Sequence, residues 1–419
     1  MAYALILGAG MVGIGTALAL QAHGKDVVLV DKSRPGSETS YGNAGAIQAE
    51  AVEPYPVPLD MTSLFKIAVG ADNAVHYHLN ALRENFWPLA HYFRNSFPTR
   101  HKIISKQYAR LIGQATADHA KLIEASDSEP LITRSGMRRA HRSQKSLDVA
   151  AAQADYMQRE YGAAFLIEDS AALHQAEPQL KGGLVGAIHW TDSWSVSDPG
   201  GLVKSYAALF VEKGGTIIEG DAMTLSKSSA AWSVETADGR QSAEHAVIAL
   251  GPWATEMLPK LGYRNPLFLK RGYHLHFAWP KGDNMAFPRA PMMDVANAVV
   301  MTATRFGIRI CSGAEIARRE APPDPRQLYR GIDAVKELID LGPVVENAPW
   351  VGNRPCMPDM LPVVGKAPDH KNLWFNFGHG HQGFTLGPTT GRILVEEMIS
   401  GRAPQPALAP DGRIDRLRR

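Results

Sequence analysis

The N-terminal part of the chain alternates between an apolar run, a helical pattern and a second apolar run. Residues 3–10, YALILGAG, are typical of a buried strand, residues 11–24 of a helix that ends at a glycine, and residues 26–32, DVVLVDK, of a second strand. This order predicts a β-α-β unit at the start of an α/β fold. Residues 3–22 are as long as a membrane span, but no Lys or Arg precedes them and glycines interrupt them, so we expect a soluble core segment.

Strand and helix patterns continue along the chain without an internal repeat. Helical patterns cover residues 61–124, 198–215 and 329–342, and a DG turn joins two strands within residues 230–254. Four other segments have the apolar runs of strands: LITRSGMRRA, GLVGAIHWTD, PLFLKRGYHLHF and RFGIRICSG. We expect these four to contribute to a second sheet.

Composition and charge narrow the class of protein. A chain of 419 residues with 45% hydrophobic content exceeds one compact core, so we expect two lobes. The formal net charge of +2 gives no electrostatic signature of nucleic-acid binding. Two cysteines do not make a disulfide framework, which favours a reducing, cytoplasmic setting.

The segment GAGMVG has the glycine spacing of a dinucleotide-binding turn. Gly8 permits the tight turn, Gly10 lets the backbone approach a pyrophosphate at the helix N-terminus, and Gly13 allows close packing of helix on strand. Asp31 ends the second strand, where its carboxylate is expected to accept hydrogen bonds from ribose hydroxyls. The strand before, the helix after and this acid make the motif specific.

The segment after the second strand bears on which dinucleotide binds. A nicotinamide enzyme usually continues with further β-α units, whereas this chain continues with the glycine- and serine-rich SRPGSETSYGNAGAI. Small residues at 43–46 would let a flat ring approach the backbone closely. By themselves they fit an ordinary surface loop equally well.

Six motifs then occur together in a recognisable order: GAGMVG, ETSYGNAGAI, VIALGPWA, MTATRFGIRICSGAEI, RPCMPDMLPVVG and GHGHQGFTLGPTTG. In this the chain resembles flavoenzymes of the D-amino-acid oxidase superfamily, and most of all bacterial D-amino-acid dehydrogenases. The resemblance implies an α/β fold with a Rossmann-like FAD-binding lobe built from separate segments (1–75, 195–262 and 345–419). It also implies a substrate-binding lobe (76–194 and 263–344) with helices and a mostly antiparallel sheet.

The resemblance implies FAD, and we predict that it is bound non-covalently. Cys356 lies near the segment where some relatives attach flavin, but its spacing to Pro358 and Asp359 differs from theirs. The predicted cofactor-binding residues are Gly8, Gly10, Met11, Val12, Gly13, Asp31, Lys32, Thr39, Ser40, Asn43, Ala44, Gly45, Ala46, Ala222, Gly251, Arg354, Gly378, Gly380, His381, Gly383, Phe384 and Thr385.

The family's G-x-R-P segment, present here as GNRPCMPD, places Arg354 where relatives bind the substrate carboxylate. A planar guanidinium suits this role because it binds a carboxylate through two parallel hydrogen bonds. Tyr273 matches a tyrosine that lines the substrate pocket of relatives, and its hydroxyl is expected to complete the grip. From the residues alone, a structural ion pair for Arg354 and an interior hydrogen bond for Tyr273 remain open.

The loop GHGHQG could either bind a metal ion through its two histidines or contact the flavin through its glycines. Two histidines on a loop lack accompanying ligands at a recognisable spacing, so we assign no metal. Related oxidases bring this loop to the pyrimidine end of the flavin, and the N-terminus of the following helix favours negative charge there. His381 occupies the position from which some relatives extend a polar side chain toward substrate, whereas His379 is expected to be structural.

We predict oxidative deamination of a D-amino acid by hydride transfer from Cα to flavin N5, with Arg354, Tyr273 and His381 at the reacting centre. The loop departs from the GHGTLGW of familiar dehydrogenases, which favours a polar or acidic substrate, or a D-proline derivative. The alternatives are a secondary-amine or 2-hydroxy-acid oxidase and a non-catalytic electron-transfer subunit. We expect a quinone or another carrier as the electron acceptor. We also expect the protein to contact the inner face of the membrane and to associate with itself.

Overall fold

Two large sheets organise the part of the chain that the computed structural model describes, residues 1–68, 70, 73, 75–228, 231–280 and 287–417. The α-helices in this part are α1 (Met11–Ala22), α2 (Met61–Ala68), α3 (Leu79–Glu84), α4 (Phe86–Asn95), α5 (Pro98–Ala125), α6 (Gln144–Tyr161), α7 (Ser170–Ala176), α8 (Pro199–Glu212), α9 (Ala254–Lys260), α10 (Arg326–Leu338) and α11 (Gly383–Ser400). The strands are β1 (Ala2–Leu7), β2 (Val27–Asp31), β3 (Ala46–Ile47), β4 (Val75–Tyr77), β5 (Ile132–Thr133), β6 (Met137–His141), β7 (Phe165–Asp169), β8 (Gly186–Trp190), β9 (Trp194–Val196), β10 (Thr216–Glu219), β11 (Ser226–Lys227), β12 (Trp232–Thr236), β13 (Gly239–Ile248), β14 (Phe268–Phe277), β15 (Met292–Asp294), β16 (Val299–Thr304), β17 (Gly307–Ile316), β18 (Trp350–Cys356), β19 (Val363–Lys366) and β20 (Leu373–Phe377).

The first sheet contains the predicted β-α-β unit. Its strands run in the order β10-β2-β1-β13-β12-β11, and β20 pairs with β13 and β19. The pairs β1–β2, β1–β13, β2–β10 and β13–β20 are parallel. Because helices cover both faces of a parallel sheet, its central strands are apolar throughout, and Ala4–Leu7 of β1 are fully buried. The α/β class expected from the sequence is confirmed.

The second sheet is mostly antiparallel, as expected. Its order is β18-β14-β17-β16-β15-β6-β8-β7, with β4 beside β17. Strand β18 pairs with β14 along residues 350–356, which the predicted division had assigned to the FAD-binding lobe. The division into lobes stays a prediction, but this strand joins the second sheet and carries Arg354 into it.

Two predicted segments differ from the observed elements. Residues 131–140 form two strands in different sheets: β5 pairs with β9, whereas β6 pairs with β8 and β15. Gly136 separates them with a φ of +74°. Its N–H donates to the Ser193 carbonyl at 3.0 Å, so the chain turns at this point and one continuous strand does not form.

The predicted helical region 61–124 is interrupted. It contains α2, the short strand β4, α3, α4 and most of α5. Helix α5 starts at Pro98, which has no backbone N–H to donate and therefore suits a first helical turn. Residues 69, 71, 72 and 74 of this region, and residue 230 of the predicted hairpin, lie outside the described residues.

Helices α1 and α11 pack closely against each other because glycines line their contact. A Cβ on Gly391 would lie 2.6 Å from the backbone nitrogen of Thr16, and one on Gly15 would lie 2.9 Å from the carbonyl oxygen of Gly387. The apolar residues of α1 thus belong to the protein core. Among the described residues, no helix combines the length and apolar character needed to cross a membrane.

Candidate active site

A cavity of about 1220 Å³ brings together the glycine turn after β1, the loop before α11, and strands β14 and β18. Most of the residues predicted for the cofactor and substrate line it: Gly8, Gly10, Met11, Val12, Asp31, Lys32, Thr39, Ser40, Asn43, Ala44, Ala46, Ala222, Gly251, Tyr273, Arg354, Gly378, Gly380, His381, Gly383 and Phe384. Gly13, Gly45 and Thr385 are not among the residues that line it.

The turn after β1 has the backbone geometry that its glycines predict. Gly8 has a φ of +111°, and a Cβ there would lie 2.4 Å from the carbonyl oxygen of Ala249. A Cβ on Gly13 would lie 1.8 Å from the carbonyl oxygen of Gly8, so Gly13 serves close packing of helix on strand. Asp31 accepts the Ala9 N–H at 2.6 Å, and its burial raises the pKa of this carboxyl. This holds the carboxylate beside the turn.

Residues 39–46 form part of the cavity wall, and hydrogen bonds hold this segment in place. The side chain of Asn43 accepts the N–H groups of Gly45 and Ala46 at 2.8 and 3.1 Å. Thr302 donates to the Ala44 carbonyl at 2.7 Å, which fixes the segment to the second sheet. The Val196 N–H donates to the Gly45 carbonyl at 2.8 Å, so neighbouring strands hold this segment in place, and its contact with flavin stays a prediction.

Three other predicted residues already have partners within the protein that the sequence did not indicate. The ammonium of Lys32 pairs with Asp221 at 3.0 Å at the cavity edge. Ser40 accepts the Met11 N–H at 3.2 Å, at the N-terminus of α1. Thr385 accepts the N–H of Gln48 at 3.3 Å.

The glycine loop before α11 is fixed to the end of β18. Gly378 and Gly380 have φ of +84° and +58°. The Gly380 N–H donates to the Pro355 carbonyl at 2.8 Å, and an isolated antiparallel bridge joins His379 to Cys356. The first turns of α1 and α11 both border the cavity, and helix N-termini favour negatively charged groups.

Arg354 is a partly buried cation without a carboxylate partner among the described residues. Its Nη1 donates to the Gly313 carbonyl at 2.8 Å, and no ion pair of Arg354 occurs in this part of the chain. Burial lowers the pKa of the guanidinium, which means that the charged form is poorly solvated. The structural ion pair that the sequence left open is therefore not seen. A bound anion would compensate this charge.

His381 lines the cavity next to several cations. Its imidazole lies 5.2 Å from the Tyr55 ring, and its Nε2 has no hydrogen-bond partner among the described residues. Burial, followed by Arg354, Lys270 and Arg139, lowers the pKa of His381 to about 3. The imidazole is therefore neutral at physiological pH, and its free nitrogen remains available to a ligand.

Tyr273 is engaged differently from expectation. Its hydroxyl donates to the buried carboxylate of Glu315 and accepts the Asp324 N–H at 2.9 Å. Arg271 also bonds Glu315, at 2.9 and 3.0 Å. The Tyr273 hydroxyl therefore already donates its proton to Glu315. This geometry does not support a hydrogen bond from the same hydroxyl to a carboxylate held by Arg354.

The two remaining residues of interest are His379 and Cys356. The buried His379 imidazole bonds the Thr390 hydroxyl at 2.9 Å, which ties the loop to α11. Burial raises the pKa of the Cys356 thiol, so this thiol is a weak nucleophile. Neither histidine of the loop belongs to the groups of His and carboxylate side chains that lie close together in the described residues.

Sequence reasoning missed three residues of this site. Lys270 and Gly272 lie on β14 and line the cavity, and Tyr92 from α4 bonds Lys270 at 3.0 Å. A lysine inside the apolar run PLFLKRGYHLHF is a signal that could have been noticed, because charged residues are seldom enclosed without a function. The contribution of α4 has no comparable signal.

The dinucleotide turn, two helix N-termini and an arginine without a carboxylate partner among the described residues meet in one cavity, an arrangement that suits a nucleotide cofactor and an anionic ligand. The chain matches the model of the family "FAD dependent oxidoreductase" over residues 4–397. It belongs to this family and is an FAD-dependent oxidoreductase. The turn at Gly8, the carboxylate of Asp31 and the backbone-lined loop fit FAD.

Known proteins resemble the chain along nearly its whole length. It is 28% identical over 425 residues to a D-amino-acid oxidase of Bradyrhizobium diazoefficiens, covering 97% of this chain and 96% of that protein. It is 29% identical over 414 residues to a D-amino acid dehydrogenase of Cereibacter sphaeroides, covering 96% and 92%. The structure of glycine oxidase from Geobacillus kaustophilus has a TM-score of 0.71 at 18% identity, covering 97% and 98%, and shares the fold.

Proposed function

We propose that this protein oxidatively deaminates a D-amino acid, giving an imino acid that water hydrolyses to a 2-oxo acid. The observation that carries the proposal is Arg354, a partly buried guanidinium without a carboxylate partner among the described residues, in the same cavity as the dinucleotide turn. A substrate carboxylate provides the missing charge and matches the fork of N–H groups. The D configuration is supported by the names of the curated relatives.

The role of Arg354 is to orient the substrate. Its Nη1 bond to the Gly313 carbonyl fixes the guanidinium plane and leaves other N–H groups for the ligand. Holding a carboxylate in two parallel bonds restricts the rotation of the attached Cα, which converts binding energy into correct orientation. FAD, when bound, supplies the two-electron acceptor for the hydride that leaves Cα.

His381 is proposed to meet the amino group. Because its imidazole is neutral, it adds no charge next to Arg354, and its unpartnered Nε2 is suited to a hydrogen bond with the amine. Among the described residues, no carboxylate forms an ion pair with Arg354 or Lys270. Proton removal from Cα by such a group is therefore not part of the proposal, and Tyr273 is not required in it.

The proposal is tested by anaerobic reduction of the bound flavin with a panel of D- and L-amino acids, N-substituted amino acids and 2-hydroxy acids. Arg354→Met should reduce kcat/KM by about 10²-fold or more, since about 3 kcal/mol of charge-assisted hydrogen bonding is lost. The FAD content should stay at the wild-type level. Arg240→Met, on the exposed edge of β13, is the matched control.

Three results would contradict the proposal. Unchanged reduction of Arg354→Met by a D-amino acid would remove the role of this arginine. Reduction of the wild type only by 2-hydroxy acids or secondary amines would keep the arginine and replace the substrate, and a flavin that nothing on the panel reduces would favour an electron-transfer subunit.

We also propose that a quinone or another carrier reoxidises the protein at the inner face of the membrane, with the chain otherwise in the cytoplasm. This is supported by an exposed apolar surface on α2–α4, whose helices also line the cavity through Leu64, Leu82 and Leu89. Its side chains are Met61, Phe65, Leu79, Phe86 and Trp87. Loss of vesicle cosedimentation in a Phe65→Ser, Trp87→Ser variant would support the contact, and no binding by the wild type would refute it. Self-association stays a prediction.

A further inference from the structure

Two cations lie at directly paired positions on one side of the cavity. Lys270 of β14 is the register partner of Arg354 of β18, and both line the cavity. Lys270 donates to the Tyr92 hydroxyl at 3.0 Å, and no ion pair of Lys270 occurs among the described residues. Both side chains are partly buried, and holding two like charges next to each other is costly unless anions compensate them.

The ammonium of Lys270 is held in a defined position. It lies 4.3 Å from the centre of the Tyr92 ring and 5.4 Å from that of Phe268, two contacts that stabilise a cation without neutralising it. The Tyr92 hydroxyl that accepts from Lys270 donates in turn to the Tyr55 carbonyl. An ammonium has three donors, so this arrangement leaves donors for a ligand.

A substrate with one carboxylate compensates only one of the two charges. The α-carboxylate pairs with Arg354, and the amino group brings no negative charge. Arg139 lies outside the cavity lining and pairs with Glu50 at 3.9 Å, so its charge does not add to this excess. The charge at this end of the cavity thus exceeds what a mono-carboxylate provides.

We propose that the substrate carries a second carboxylate and that Lys270 binds it while Arg354 holds the α-carboxylate. The substrate class is an amino dicarboxylic acid. The assignment of Arg354 to the α-carboxylate rests on the proposed function, whereas the requirement for a second anion rests on the pairing of Lys270 with Arg354.

The test compares each acid with its neutral, nearly isosteric amide. Anaerobic flavin reduction is measured with D-aspartate against D-asparagine and with D-glutamate against D-glutamine, in the wild type and in Lys270→Met. We expect kcat/KM for one of the acids to exceed that for its amide by at least tenfold in the wild type. This ratio should fall at least tenfold in Lys270→Met and recover partly in Lys270→Arg. Lys145→Met, exposed on α6, should keep the wild-type ratio.

A binding measurement separates failure of this inference from failure of the proposed function. Succinate and glutarate are titrated against butyrate by the change they cause in the flavin absorption spectrum, which needs no turnover. Tighter binding of a dicarboxylate that depends on Lys270 would support the second-anion site even if no amino acid reduces the flavin.

Two results would overturn the inference. One is equal use of acid and amide by the wild type, together with equal binding of dicarboxylate and butyrate. The other is an acid-to-amide ratio that Lys270→Met leaves unchanged; if the flavin reduction potential of that variant is also shifted, Lys270 is assigned to the flavin instead. A Lys270→Met protein that does not fold is replaced by Lys270→Gln in the same comparison.

Discussion

Gly272 is the residue that allows Arg354 to lie flat against β14. A Cβ at this position would lie 2.2, 2.6 and 2.9 Å from Nη2, Cζ and Nη1 of Arg354. The backbone of Gly272 lies in a strand, a conformation that alanine also adopts, so Gly272→Ala does not strain the main chain. The guanidinium, at the end of a flexible side chain, is the part that has to move.

The size of the effect follows from the bonds that this movement disturbs. Displacing the guanidinium by the width of a methyl group should remove its bond to the Gly313 carbonyl or one of the two bonds that we propose it makes to the substrate carboxylate. A hydrogen bond to a charged group contributes about 1.5–3 kcal/mol. Gly272→Ala should therefore reduce kcat/KM for flavin reduction by about 10- to 100-fold.

The assay is anaerobic stopped-flow reduction over a range of substrate concentrations. Weaker substrate binding with unchanged FAD content is expected, since Gly272 lies on the substrate side of the cavity. Gly113→Ala is the matched control, because a Cβ at Gly113 meets open space on the exposed side of α5. Unchanged kinetics in Gly272→Ala would refute the reasoning, because Arg354 would then not need this position in order to act.

Three further predictions test packing, protonation and cofactor attachment. Gly391→Ala should lower the free energy of unfolding by about 1–3 kcal/mol, because its Cβ would lie 2.6 Å from the Thr16 nitrogen at the α1–α11 contact. Gly113→Ala, the control, should raise the free energy of unfolding by about 0.5–1 kcal/mol. Thermal unfolding of both variants measures the difference. Burial lowers the pKa of His119 from 6.5 to about 4, so the unfolded chain binds this proton first and stability falls as the pH falls from 6.5 to 4. Urea unfolding measures the free energy of unfolding at pH 7 and at pH 5. The decrease between these two pH values should be about 2 kcal/mol smaller in His119→Gln than in the wild type. Equal decreases would show that the imidazole is accessible to protons in the folded state. Acid denaturation should release FAD into the supernatant, as expected if Cys356 is not bonded to it; yellow colour retained by the precipitate, and lost in Cys356→Ser, would contradict this.

The sequence by itself determined the nucleotide-binding part of this protein. The turn GAGMVG, the acid at the end of the second strand and the helix before Gly24 are local features, since glycine spacing and apolar periodicity act within one segment. The order of the six motifs indicated the family, and with it FAD; the roles of Arg354 and the glycine loop that it implies stay predictions. At these positions the residue type is fixed either by the backbone conformation of the turn, which requires glycine, or by a motif of the family.

Only the tertiary structure decided how the substrate side is built. Pairing of β14 with β18 sets Lys270 next to Arg354, and no local pattern predicts which strands pair. Likewise Gly387 and Gly391 allow α1 and α11 to meet, and the hydroxyl of Tyr273 is engaged with Glu315. The physical reason is that strand pairing, helix contact and the compensation of buried charge depend on groups far apart in the chain, whereas periodicity and turn chemistry depend on neighbours.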